Sequence, residues 1–220
     1  MSSLTVIGSG KDSVGLGDIL LLTPICRQAD CVVQLPPRAE RFACLFDDLA
    51  EVRIVDNPVN LSNVGDDHYA KCKLRGLGLD ENDYIPDLMR RWSRQANGNI
   101  IFKTTCSHKW QKLRGLPDVV VDGIKGAGIR HLVNADTMLE CTIDEKISWY
   151  QQSLRYIGCD TGDYHLMLAL GGKCIVLVPD NCEQYEYRRW HYIDYPGRVK
   201  YVNFKDWETV NADFVTNFFR

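Results

Sequence analysis

The chain has 220 residues, 45% of them hydrophobic and 25% charged, which fits one large or two small globular domains and excludes a disordered or fibrous chain. A formal charge of −3 gives no electrostatic reason to expect nucleic acid or an anionic membrane as partner. Nine cysteines, an odd number at irregular spacings and without CxxC, argue against a zinc site and against a disulfide framework.

Several of these cysteines lie inside apolar runs, as Cys174 does in CIVLV, where a thiol acts as a small hydrophobe. Reduced thiols point to the cytoplasm. MSSLTVIGSG has no basic flank before a long apolar stretch, so no signal peptide is expected. No run approaches the ~18 apolar residues of a transmembrane segment.

Strands alternate with helices along the chain, the pattern of parallel sheets with helices on their faces. LTVIG (4–8) reads as a short buried strand. The glycine-bearing loop SGKDSVGLGD leads from it into a helix, ILLLTPICRQ, which Pro24 should kink or confine to a few turns. CVVQL (31–35) is the next strand. A helix starts at Pro36–Pro37, with Phe42, Leu45, Phe46 and Leu49 at helical spacing. VRIVD (52–56) is a third strand. Residues 57–98 are less regular. AKCKLRGLGL reads as a helix ended by glycine, and DLMRRWSRQ as another helix. The turn-rich ANGN (96–99) marks a lobe boundary.

The alternation then restarts. IIFKTT (100–105) is a strand running into SHKWQKLR, and IRHLV (129–133) is a strand. TIDEKISWYQQSL (142–154) is a helix with a Thr142 cap, Glu145 placed for a capping box, and Ile147, Tyr150 and Leu154 on one face. YIGCD (156–160) is a strand, TGDYHLMLALGG a helix closed by glycines, and CIVLVP (174–179) a buried strand. KYVNF (200–204) adds one more. The tail aligns Trp207, Val210, Phe214 and Phe218 on one helical stripe.

Three segments have the residue types for chemistry. In Gly15-Leu16-Gly17-Asp18, glycines at a strand-to-helix turn allow close approach of a ligand, and Asp18 is either a proton acceptor for a hydroxyl nucleophile or a helix cap. In Thr104-Thr105-Cys106-Ser107-His108-Lys109, hydroxyls and N–H groups before a helix suit an anion, and Lys109 supplies a point charge; the plain reading is a Ser/Thr cap and a solvated lysine. In Asp160-Thr161-Gly162-Asp163-Tyr164-His165, a strand feeds a turn that opens a helix, so three polar groups and free helix N–H donors converge at one sheet edge. A capping Asp or Thr with an incidental histidine is the alternative.

At these segments the sequence resembles the ADP-heptose:lipopolysaccharide heptosyltransferase family of glycosyltransferases. GLGDILLLTPICR (15–27) is similar to that family's early GD-x-L-x-x-TP run, and DTGDYHLMLALGGKCIVLVP (160–179) to its D-T-G-x-x-H segment with a following strand. The TT-x-x-x-K run at 104–109 looks like the donor-phosphate segment of some members. The resemblance implies a compact GT-B-like α/β fold of two facing Rossmann-like lobes. Residues 1–95 would form the acceptor-side lobe with the catalytic base, 96–205 the donor-side lobe, and 206–220 a helix packing across them. It implies inverting transfer from a nucleotide-sugar donor to a glycan or other hydroxyl acceptor, with no metal or other cofactor. No D-x-D pair occurs to hold a metal. Asp18 then looks like the base. Gly17, Thr104, Thr105, Lys109, Asp160, Thr161, Gly162 and His165 look like donor contacts. The chain is shorter than typical members, and Glu140 and Glu145 are the candidates for the acidic residue that often holds the donor ribose.

Three other readings share parts of this pattern. They are a sugar-nucleotide epimerase or hydrolase, a non-catalytic nucleotide-sugar-binding or scaffold protein, and a plain dinucleotide-binding domain, whose G-x-G-x-x-G is matched poorly by GSGKDSVG. Trp149 and Tyr150 read as packing residues, and the aromatic–basic run Tyr185–His191 as a solvated face. If Lys109 meets the donor phosphate, Lys109→Ala weakens nucleoside-diphosphate binding in calorimetry. Equal affinity in the variant would count against the assignment.

Overall fold

The computed structural model describes residues 5–8, 15–61, 68–88, 97–106, 114–138, 141–180, 195 and 197–220. They fall into two compact units, one made of the described residues up to Leu88 and one of those from Asn97 onward.

The first unit is built on three parallel strands, β1 (Thr5–Gly8), β2 (Cys31–Leu35) and β3 (Glu51–Ile54), in the order β1-β2-β3. Val33 of the middle strand stands opposite both Ile7 and Val52. β2 is buried apart from Gln34, whereas β3 is largely exposed and carries an ion pair between Glu51 and Arg53.

The helix expected from ILLLTPICRQ is broken in two, α1 (Leu16–Leu20) and α2 (Thr23–Gln28). Pro24 has no N–H to offer the Leu20 carbonyl four residues back. The Thr23 hydroxyl donates to that oxygen instead, at 2.8 Å. Ile19, Leu20, Leu21, Leu22 and Ile25 are all buried, so apolar packing holds both pieces. The segment after Pro36 is a 3₁₀ helix, Pro37–Phe46, rather than an α-helix; it buries Phe42, Leu45 and Phe46 as their spacing predicts, and Leu49 lies beyond its end. Helix α3 (Tyr69–Gly76) is capped by His68, whose Nδ1 accepts from the Ala70 N–H. It ends where Gly78 takes φ 69° and the Leu79 N–H reaches back to the Leu74 carbonyl. The helix expected across DLMRRWSRQ lies mostly outside the described residues.

The second unit has five parallel strands: β4 (Ile100–Lys103), β5 (Leu132–Asn134), β6 (Arg155–Cys159), β7 (Lys173–Val178) and β8 (Val199–Asn203). Their order is β5-β4-β6-β7-β8. Helix α4 (Asp118–Gly126), which the sequence reading did not anticipate, packs on one face with the 3₁₀ segment Phe204–Thr209 and helix α7 (Ala212–Phe219). Ile100, Phe102, Ile157, Cys159, Ile175 and Leu177 form the sheet's side of that core. The opposite face carries α5 (Ile143–Ser153) and α6 (Gly162–Ala169). The capping box of α5 is present, with Thr142 and Glu145 bonding each other's backbone N–H groups. The tail expected as one helix breaks at Val210, because the Asn211 side chain caps a new helix by accepting from the Phe214 N–H.

Cys26, Cys31, Cys141, Cys159 and Cys174 are in no disulfide. Burial pushes the Cys159 and Cys174 thiols well up, in keeping with a packing role.

Two glycines of α4 make a paired test. A Cβ on Gly123 would stand 2.1 Å from the Trp207 ring, whereas one on Gly126 meets nothing within 4 Å. Gly123→Ala should therefore lower stability by ~1–3 kcal/mol. Gly126→Ala should raise it by up to ~1 kcal/mol. Urea midpoints of the two variants check both signs.

Candidate functional site

In an open parallel sheet, ligands bind beyond the carboxyl ends of the strands where the strand order reverses. In the second unit β5 lies on one side of β4 and β6 on the other, so the reversal falls between β4 and β6. Lys103, the last residue of β4, stands opposite Gly158 of β6. A Cβ on Gly158 would come within 2.4 Å of the Lys103 carbonyl oxygen, so glycine is required for this approach. Thr104 and Thr105 follow β4, Asp136 follows β5, and Asp160 and Thr161 follow β6. The second and third candidate segments are thus neighbours at one edge, apart from Ser107, His108 and Lys109, which lie outside the described residues.

Asp136 takes up the hydrogen-bonding capacity of the Thr104–Thr105 turn. Its carboxylate accepts from both threonine hydroxyls and both threonine N–H groups. It also accepts from the Lys103 ammonium at 2.9 Å. Burial pushes the Asp136 carboxyl up, but these hydrogen bonds and the lysine charge outweigh it and hold the carboxyl well below the usual range.

The turn after β6 treats its two carboxylates differently. Thr161 is extended and caps α6, its hydroxyl oxygen accepting from the Asp163 N–H. Asp163 is buried and accepts from the Tyr150 hydroxyl at 2.8 Å and the Lys146 ammonium at 2.6 Å, which bolts α5 to α6. Asp160, only 4% exposed, accepts no hydrogen bond among the described residues. Among the described residues, the charge paired with it is Arg114, whose Nη1 lies 3.9 Å from Oδ2. Burial raises the Asp160 carboxyl to about 6, with Arg114 pulling the other way. Gly162 opens α6, and His165 is buried with its ring 4.0 Å from that of Tyr164.

The first segment belongs to the first unit. Gly17 and Asp18 lie in the five-residue helix α1, with Asp18 in its first turn. The Asp18 carboxylate folds back over the helix start, 3.1 Å from where a Gly15 Cβ would stand. Lys73 of α3 is 1% exposed and donates to the Leu61 carbonyl. Burial lowers its ammonium to about 8, and the charge of Asp18 opposes that shift.

Lys73, Lys103, Arg114 and Asp136 were not singled out from the sequence. Lys103 had one legible signal, a charge closing the otherwise apolar strand IIFK. The ribose candidate Glu145 is engaged in its capping box, and Glu140 lies outside the described residues, as does the run Tyr185–His191. Tyr150 is fully buried, and Trp149 is exposed. A depression of 390 Å³ lined by Gly98, Arg130, His131, Arg155 and Phe219 lies at the amino-terminal edge of the same sheet, away from the strand-order reversal.

Parallel sheets flanked by helices, with polar groups gathered where the strand order turns, define an α/β fold. Solved heptosyltransferases share this fold. Escherichia coli heptosyltransferase WaaC with ADP matches with a TM-score of 0.58 and 11% identity, over 98% of this chain and 96% of that one. E. coli ADP-heptose lps heptosyltransferase II matches with a TM-score of 0.56 and 8% identity, over 98% and 97%. TibC of enterotoxigenic E. coli H10407, an iron-containing dodecameric glycosyltransferase, matches with a TM-score of 0.58 and 10% identity, over 99% and 76%. No family model and no curated protein sequence matches the chain. Among the described residues here, no group of three or more His, Cys, Asp or Glu could hold a metal ion. No helix among them is long and apolar enough to cross a membrane.

The Asp160 carboxyl titrates near 6 in the folded chain and near ~3.9 in the unfolded one. Between those values the folded state binds the extra proton, so this group's contribution to stability falls as pH rises from ~4 to ~6 and is level above that. The urea midpoint of the wild type minus that of Asp160→Asn should fall across this window. A flat difference would mean that the buried carboxylate carries no such cost.

Proposed function

We propose that the protein transfers a sugar from a nucleotide-sugar donor to an acceptor hydroxyl, with inversion and without a divalent cation. The observation that carries this reading is Asp160, a buried carboxylate at the strand-order reversal that accepts no hydrogen bond among the described residues and lies 3.9 Å from the Arg114 guanidinium. Burying a carboxylate is costly, and sugar hydroxyls are donors of the right kind to offset that cost.

In this reading residues 96–205 form the donor side and 1–95 the acceptor side. Asp160 accepts from hydroxyls of the donor sugar, and His165 lines the same position. The diphosphate meets Thr104, Thr105, Lys109 and the first-turn N–H groups at Thr161 and Gly162, with Arg114 as a further cation. Asp18, beside Gly17, takes the proton of the acceptor hydroxyl as its oxygen attacks the anomeric carbon. The bond to the diphosphate breaks with its electron pair, and the cations and N–H groups stabilise the charge that develops there. ADP is the first nucleotide to try, since heptosyltransferases of this fold are seen with ADP and with ADP-D-β-D-heptose.

Two variants separate the roles. Asp18→Asn should lower turnover by ~100-fold or more and leave donor affinity unchanged. Asp160→Asn should weaken sugar-nucleotide binding by ~10-fold or more. Unchanged turnover in the first variant removes Asp18 as base. A wild type that binds donor but transfers nothing favours a nucleotide-sugar-binding protein of the same fold.

A further inference from the structure

Five donors converge on the Asp136 carboxylate. Lys103 Nζ and the Thr105 hydroxyl lie 2.9 Å and 2.6 Å from Oδ1, the Thr105 N–H lies 3.0 Å from the same oxygen, and the Thr104 N–H and hydroxyl complete the set. Two successive backbone N–H groups, two hydroxyls and an ammonium are the donor set that a phosphate oxygen takes. The Lys103 side chain is 5% exposed and that of Asp136 18% exposed. The cation is therefore locked in the fold, while the anion sits on the solvent side of the pair.

We propose that the Lys103–Thr104–Thr105 turn is an oxyanion cradle whose resident anion is Asp136, and that a phosphate group of the donor enters it by taking the place of that carboxylate. The identity of the incoming group rests on the reading above; the cradle does not. Exchange keeps Lys103 paired throughout, which a buried ammonium requires. Asp136 opens a three-residue 3₁₀ turn, Asp136–Met138, after β5, so it lies on a connection rather than within the sheet. Asp136 thereby sets donor affinity from inside the site, because every bound phosphate must outcompete a tethered carboxylate.

The test is thermal melting of the wild type and of Asp136→Ala in inorganic phosphate or pyrophosphate, against chloride at matched ionic strength. Phosphate at ~10 mM should raise the variant's Tm by ~3 °C or more. It should leave the wild type within ~1 °C. Adding Thr104→Val and Thr105→Val to the variant should abolish the gain. If Asp136→Ala does not fold in chloride, refolding in phosphate supports the cradle, and Asp136→Asn supplies the soluble comparison. A folded variant, Ala or Asn, whose Tm responds to phosphate no more than the wild type overturns the proposal. A phosphate response without binding of any sugar nucleotide leaves the cradle standing and sinks the transferase reading.

Discussion

The ammonium of Lys103 has to find an anion. It closes an apolar strand and is almost wholly removed from water. An uncompensated charge there would cost several kcal/mol, on the order of a large share of a domain's stability. Asp136 answers it across the β4–β5 pair, and the rest of the edge follows from that bond. The turn at Thr104–Thr105 is fixed because its donors share the same carboxylate. Gly158 lets β6 come close on the other side. Asp160 follows β6 at the same edge.

The contrast between Asp160 and Asp163 shows how three residues of separation divide two roles. Both are buried carboxylates of one turn. Burial pushes Asp163 up, but Lys146 and the hydrogen bond from Tyr150 outweigh it and keep its carboxyl low. It serves the scaffold by joining two helices. Asp160, among the described residues, has the Arg114 guanidinium at 3.9 Å, and burial keeps its carboxyl high. Satisfied acids hold a fold together, and an acid that the fold leaves wanting is the one available to a ligand.

Much of the fold was legible in the sequence because its signals are local. The apolar runs of β2, β6 and β7, the capping box at Thr142 and the proline at position 24 each act over a few residues. Where several local choices compete, legibility fell. Proline-initiated helical spacing at 37–46 settled into 3₁₀ geometry, and Asn211 interrupted a tail whose stripe fitted one helix. The positions of Asp18, Thr104, Thr105 and Asp160 at element ends could be read from flanking strands and helices. Their partners could not. Asp136 meets Thr104 from 32 residues away, and only the order of β5 and β4 brings them together. Arg114 likewise reaches Asp160 through tertiary packing, which no spacing rule encodes.

The outermost strand of the small sheet bears one more consequence. Among the described residues β3 ends that sheet, and its exposed Glu51 and Arg53 grip each other along the open flank. Another polypeptide attempting to zip onto that border would have to dehydrate two charges before gaining its first ladder bond. The charged pair thus guards the border against fibril-like accretion.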